Sequence, residues 1–420
     1  MRSSVLVLSA AALGWLACTA STSGAPGGGG SGDGGTSSGG SQDGGGTSSG
    51  GHEDSGGGGG TVAYKTFPVG TLPLYSVAVD GSGNVWAATS GVATQGGKAT
   101  LARFVPSSST TTNFDLSGGS DAQYPYGSLS IDATGDVWIA TSVNPSTGVL
   151  DQGTALVELS SSGSILKRVT NSGPANPNPC PDNPCTQNPF AYPRSSAIDS
   201  SGNIWLLDDN YASPYVTELS PSGGVIRAVA VGGSGVDSLT IDSSGDAWVV
   251  GVADNRVVKV SSGGSLSGPF ALPSSVAGGL LNLAIDKSDN LWVAAGAGTA
   301  LTSGALVELS PAGTQLGLFT VPSSGTADAI AIDSAGNIWI VDDSNLRLVE
   351  LSASGSMINQ YPGLPTPGAA AMEGHNIAID AAGNIWIASG NTATATGMLI
   401  EAPGLAHGPQ YFPYSGPQYP

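Results

Sequence analysis

The side chains able to do chemistry in this chain are few and scattered: three histidines, three cysteines, and an excess of carboxylates, with 31 Asp and Glu against 12 Lys and Arg. General acid–base catalysis needs an acid and a base within reach of one substrate. His52 lies in a Gly-rich stretch and His407 in a Pro/Gly/Tyr-rich end. Only His375 falls inside a patterned segment, His375-Asn-Ile-Ala-Ile-Asp-Ala-Ala-Gly-Asn-Ile-Trp386. It is the one catalytic candidate, and it has no second histidine to work with. The most regular carboxylates are Asp80, Asp132, Asp199, Asp242, Asp286, Asp333 and Asp380, each opening an Asp-x-x-Gly-Asn type of turn. A calcium loop needs carboxylates at alternate positions and a distal Glu. One carboxylate and one amide per turn fall short of that, so these residues read as turn formers: Asp caps the turn, and Gly or Asn accepts positive φ. No resident metal is expected.

The turns belong to a larger unit, apolar-Asp-x-x-Gly-Asn/Asp-apolar-Trp, which ends at Trp86, Trp138, Trp205, Trp248, Trp292, Trp339 and Trp386. In the fifth copy Asp289 stands where the others have Gly. Successive tryptophans are 52, 67, 43, 44, 47 and 47 residues apart, and the longest interval holds Cys180 and Cys185. A period in the forties marks one supersecondary unit used repeatedly. Each copy reads as strands: a short alternating run such as Leu283-Ala-Ile285, the turn, an Ile-Trp-Ile type of run, a third run such as Ala305-Leu-Val-Glu-Leu309, and a fourth such as Gln315-Leu-Gly-Leu-Phe319. Seven sets of four antiparallel strands predict an all-β, seven-bladed β-propeller over residues 61–403. The last copy lacks a fourth strand, while Thr61–Pro68 reads as a fourth strand with no first three. The ring is therefore expected to close through the N-terminal strand. Tyr411–Tyr414 is the alternative source of that strand, and 404–420 is otherwise a tail.

The tryptophans, flanked by Ile and Val, are expected between neighbouring blades. A charged column on the third strands, Arg103, Glu158, Glu218, Lys259, Glu308, Glu350 and Glu401, is expected to form a solvated face. Ligands are expected at the channel mouth, where the second-to-third and fourth-to-first connections lie. The residues five before each turn Asp and three after each Trp, together with neighbouring acids, yield the candidate ligand site: Tyr75, Arg194, Asp208, Asp237, Asp328, Asp342, Glu373 and His375.

The repeat resembles NHL-type and streptogramin (virginiamycin B) lyase-like propellers, in which a Gly-Asn-aliphatic-Trp strand follows the inner strand of every blade. The His375–Trp386 segment resembles that family's His-Gly-Ile-Ala…Gly-Asn-Leu-Trp pattern in spacing. The resemblance implies a lyase that uses more than one His, a Glu and a divalent metal such as Mg. Here the second His is missing, and no Glu stands after a blade Trp. Propellers host unrelated functions. Two functions follow as expectations: a non-catalytic propeller that binds a protein or glycan at its mouth, or a metal-dependent lyase- or lactonase-like enzyme using His375 with Asp208, Asp342 or Glu373.

The N-terminus bears on location. Met1-Arg2 precedes a thirteen-residue apolar run, Val5–Ala17, which has the length of a signal h-region. Leu16-Ala17-Cys18 resembles the lipobox of bacterial lipoproteins, so residues 1–18 are expected to be a lipoprotein-type signal with Cys18 lipidated. Ordinary cleavage, for instance after Ala20, is the alternative. Cys180 and Cys185 are then expected to pair with each other in an exported chain. Residues 19–60 hold 20 Gly among 42 residues and read as a disordered tether. With a net charge of −19 and no Lys or Arg after Arg347, a nucleic-acid partner is excluded on composition. The expectation is a monomer on the cell envelope (outer membrane or cell surface), or else secreted, touching the membrane through its lipid only.

Overall fold

A computed structural model of the chain describes residues 60–413, apart from 71–72, 90–99, 117–122, 126–128, 144–154, 171–192, 210–213, 234, 252–253, 277–280, 296–302, 367–372 and 392–395. Cys18, Cys180 and Cys185 lie outside the described residues. The described residues form seven antiparallel sheets. Blade four shows the pattern: Val236–Ile241 innermost, then Ala247–Gly251, Arg256–Val260 and Leu266–Ala271 outermost. Blade two differs in its inner strand, which is split into Gln123–Pro125 and Ser130–Ile131, both paired to Val137–Val143.

The ring closes through the N-terminus, as the sequence predicted. Lys65–Gly70 pairs antiparallel with Thr396–Ala402 and becomes the outer strand of blade seven. Its Phe67 lies 5.9 Å from Trp386 and 4.4 Å from Phe104. Phe114, Phe270, Phe319 and Tyr361 stand on the outer strands of other blades at 5.4–5.9 Å from their own tryptophans. The borrowed strand thus supplies the aromatic that a contiguous blade would.

All seven tryptophans are at most 1% exposed. Each packs into the next blade: Trp86 with Ile131 and Val137, Trp292 with Ile332 and Ile338, and Trp386 with Val79 and Val85 across the closure. Burying roughly 150–250 Å² at about 25 cal/mol per Å² stabilises the fold by some 4–6 kcal/mol per Trp before entropy costs. The core is therefore seven wedges between blades rather than one central mass.

Beyond blade seven the chain crosses the face formed by the Asp turns. The Ala406 N–H donates to Gly383 O, Ser334 N–H to Pro409 O, and Tyr411 N–H to Ile332 O. Gly408 makes this route possible, because its φ is +107° and an added Cβ would lie 2.2 Å from Ser334 Oγ. Residues 404–413 are thus a clasp across blades six and seven, a role that the reading of 404–420 as a tail did not anticipate.

Candidate functional site

The turn aspartates do one job seven times. In blade one, Asp80 Oδ1 accepts the N–H groups of Ser82 and Asn84, and Oδ2 accepts Asn84 Nδ2 and Trp86 Nε1, all at 2.9 Å. The Oδ1 pair and the indole bond recur at Asp132, Asp199, Asp242, Asp286, Asp333 and Asp380. The carboxylate ties the turn to the buried Trp, and up to four donors occupy its lone pairs. At Asp333 the amide of Asn337 turns instead to Glu350, and the backbone N–H of His407 takes the vacated place on Oδ2 at 2.9 Å.

Four members of the charged column are buried and the other three, Arg103, Lys259 and Glu308, are half-buried. Glu158, Glu218, Glu350 and Glu401 are 2–9% exposed. The strand register explains this, because each column residue pairs directly with a Trp: Trp138 with Glu158, Trp205 with Glu218, Trp339 with Glu350. Each buried acid then needs a donor or a cation. Asn203, Asn290 and Asn337 donate to Glu218, Glu308 and Glu350. Lys167, Arg227 and Lys65 reach across from the outer strands to Glu158, Glu218 and Glu401 at 2.6–3.0 Å. Burial pushes the Glu308 and Glu218 carboxyls up from their ordinary value; Asp286 adds to this at Glu308, and Arg227 opposes it at Glu218.

Blades two and four carry Asp where the others carry Asn. In blade two, ligand atoms of Asp132, Asp136 and Glu158 lie within 4.8 Å of one another, the one such acidic group among the described residues. Asp132 is taken by Thr134, Asp136 N–H and Trp138, and Glu158 by the Lys167 ammonium. In blade four Lys259 replaces the Glu and bonds Asp242 at 2.8 Å and Asp246 at 3.0 Å. Burial alone would lower the Lys259 pKa, but these bonds and charges outweigh it and raise the pKa.

The opposite face carries the candidate ligand residues. Four of the inner strands begin there with a bulge: register shifts fall at Leu74/Ser76, Pro193/Ser195, Val236/Ser238 and Glu373/Asn376. Tyr75, Arg194, Asp237 and His375 lie within these four shifts. A bulge re-aims the extra residue out of the ladder. Tyr75 is 39% exposed, and Arg194, Asp237 and Asp328 are half-buried. The side chains of Glu373 and His375 lie outside the described residues. Arg194 pairs with Asp209 at 3.0 Å. Positions three after each Trp are buried beneath this rim, Asp208 at 3% exposure and Asp342 at 0%. Asp342 bonds Arg347 Nε at 2.6 Å, the Thr326 N–H at 2.8 Å and Asn345 Nδ2 at 3.0 Å. Fully engaged in this way, it anchors the loop before blade six.

Sequence reasoning missed the small polar residue four before each turn Asp: Ser76, Ser128, Ser195, Ser238, Asn282 and Asn376, with Ala329 in blade six. Several of these tie adjacent inner strands together. Ser76 Oγ accepts Leu129 N–H, Ser195 Oγ accepts Leu239 N–H, and Asn282 Nδ2 donates to Asp328 O. The signal was the recurrence of Ser and Asn at one repeat position.

No protein-family profile and no curated sequence matches the chain. Its three-dimensional structure is similar to virginiamycin B lyase from Staphylococcus aureus, at TM-score 0.59 and 16% identity over 81% of this chain and 98% of that one. A streptogramin B lyase is similar at TM-score 0.58 and 14% identity, covering 80% and 97%. YCF48 bound to D1 peptide is similar at TM-score 0.53 and 13% identity, covering 81% and 96%. What is shared is the fold. The resemblance read from the Gly-Asn-Ile-Trp repeat is thus matched by the architecture.

Proposed function

We propose that this chain is a non-catalytic propeller that binds a protein ligand at its bulged rim and is displayed on the cell envelope through lipidated Cys18. The observation that carries the reading is the contrast within the inner strands. The turn end repeats one motif in all seven blades, while the bulged end presents Tyr75, Arg194 and Asp237, three different chemistries, with Asp328 beside them. A surface freed from the repeat is where recognition resides in a scaffold of this kind. The likeness to YCF48, solved with a peptide bound, supports a protein ligand.

The test uses the full chain to capture partners from an envelope extract, beside a Tyr75→Ala, Arg194→Glu, Asp237→Lys variant of matched melting temperature. One partner protein captured by the parent chain and lost by the variant supports the reading. Equal capture, or retention of a glycan alone, overturns it. Cys18→Ala is expected to move the chain into the soluble fraction, and unchanged membrane partitioning overturns the anchor. Quinupristin is the molecule solved with a catalytically inactive virginiamycin B lyase. Its turnover by this chain, lost in His375→Ala, would replace the binding reading with the lyase one.

A further inference from the structure

We propose that the axial channel is itself a binding site, separate from the rim, for a small uncharged hydroxyl-rich molecule such as a single sugar ring or a polyol. The inner strands of all seven blades enclose a cavity of about 190 Å³. In a chain with 31 acidic residues, no ionisable side chain among the described residues lines it. The C-terminal clasp contributes to its lining at the turn face. There Gln410 Oε1 accepts the Ile379 N–H, and Phe412 and Pro413 supply apolar surface. The cavity is smaller than the ~300–1,000 Å³ of drug-sized sites, which limits the occupant to about one ring.

The polar lining divides into two sets. Ser130 and Ser196 bond each other at 2.8 Å, and Asn282 is spent on Asp328 O. Ser238 Oγ, Thr240 Oγ1 and the Asn376 carboxamide, by contrast, have no protein partner among the described residues. Ser238 and Thr240 belong to blade four and Asn376 to blade seven, three places apart in a ring of seven, so they meet the cavity from nearly opposite sides. A charged guest would lose its hydration here with no counter-charge to replace it. A purely apolar guest would leave the two hydroxyls and the amide unsatisfied. A neutral guest carrying hydroxyls satisfies both conditions, since hydroxyl and carboxamide groups each donate and accept.

The experiment titrates the full chain with D-glucose, N-acetyl-D-glucosamine and myo-inositol, followed by saturation-transfer NMR and calorimetry. D-gluconate and D-glucosamine serve as charged counterparts. At least one neutral probe is expected to bind, with its charged counterpart about tenfold weaker or more. Thr240→Val, which keeps the shape, and Asn376→Leu are each expected to weaken binding about tenfold, the loss of one hydrogen bond, with melting unchanged. Tyr75→Ala at the rim should leave sugar binding as it was, so this site and the protein-binding rim succeed or fail independently. Absence of binding by all three neutral probes overturns the proposal. So does equal binding of the charged counterparts, or binding indifferent to both Thr240→Val and Asn376→Leu.

Discussion

The two faces of the propeller obey different rules. On the turn face every blade places an Asp, a turn and a Trp in one hydrogen-bonded arrangement, repeated down to distances of 2.9–3.0 Å for the indole bond. On the rim face four of these strands begin with a bulge, and the residues set within the bulges follow no pattern. The difference teaches where stability and recognition reside. A buried indole N–H must have an acceptor, so the Asp–Trp pair is required wherever a wedge Trp is used. A bulged residue re-aimed out of the ladder carries no such obligation.

The largest effect should come from the seam that closes the ring. Deleting 61–68 strips the outer strand of blade seven and the Phe67 contact with Trp386. It should cost on the order of 5 kcal/mol and appear as a collapse of the thermal transition, because the half-buried Phe67 ring and the strand's ladder bonds to Thr396–Ala402 are lost together. Near-native melting of that deletion would break the closure. Next in size, Asp333→Ala removes the acceptor of the Trp339 indole, the turn amides and the His407 N–H together. We expect a loss of about 3–4 kcal/mol in chemical denaturation. Tyr75→Ala on the rim should stay within about 0.5 kcal/mol. Comparable losses at the two sites would erase the distinction between the faces.

A finer test sits inside the turn face. Lys259→Met leaves Asp242 and Asp246 without their cation and should cost about 2–3 kcal/mol. Adding Asp246→Asn supplies Asp242 with the amide donor that Asp199 and Asp286 have in the neighbouring blades, and should recover most of that loss. A double variant no better than the single one would show that the charges are not what matters there.

The smallest expected effect has the opposite sign. Burial raises the Glu308 carboxyl, so the folded state holds its proton at pH values where the unfolded chain has released it. Stability is therefore lost as pH rises through that raised range. Glu308→Gln keeps the acceptor for Asn290 Nδ2 and removes the loss. Its melting temperature should exceed the parent's at neutral pH and meet it at pH values below the ordinary carboxylate range. A variant less stable than the parent at neutral pH would rule this account out.

The blade count, the strand order within a blade and the borrowed first strand were all legible in the sequence, because turn chemistry and strand alternation are local properties read over about ten residues. The structural job of the turn Asp was legible for the same reason. The burial of the charged column was not. Whether Glu218 or Glu350 faces water depends on the Trp it pairs with and on the outer strand and neighbouring blade that cover it, and on outer-strand cations such as Arg227 and Lys167. The bulges escaped detection because they are a mismatch between two strands and mark neither one alone. The clasp escaped because Gly404–Pro413 has no alternating pattern; it is held by backbone and side-chain groups of the turns of blades six and seven, Gly383 O, Ile332 O, Ser334 N–H, Asn384 Oδ1 and Asp333 Oδ2. The sequence by itself determined the repeating blade and the way the ring closes. Which charges are buried, which residues reach the rim and what lines the channel were decided by the tertiary structure, since each depends on strand register, on cross-strand partners and on the packing of neighbouring blades, which no local pattern records.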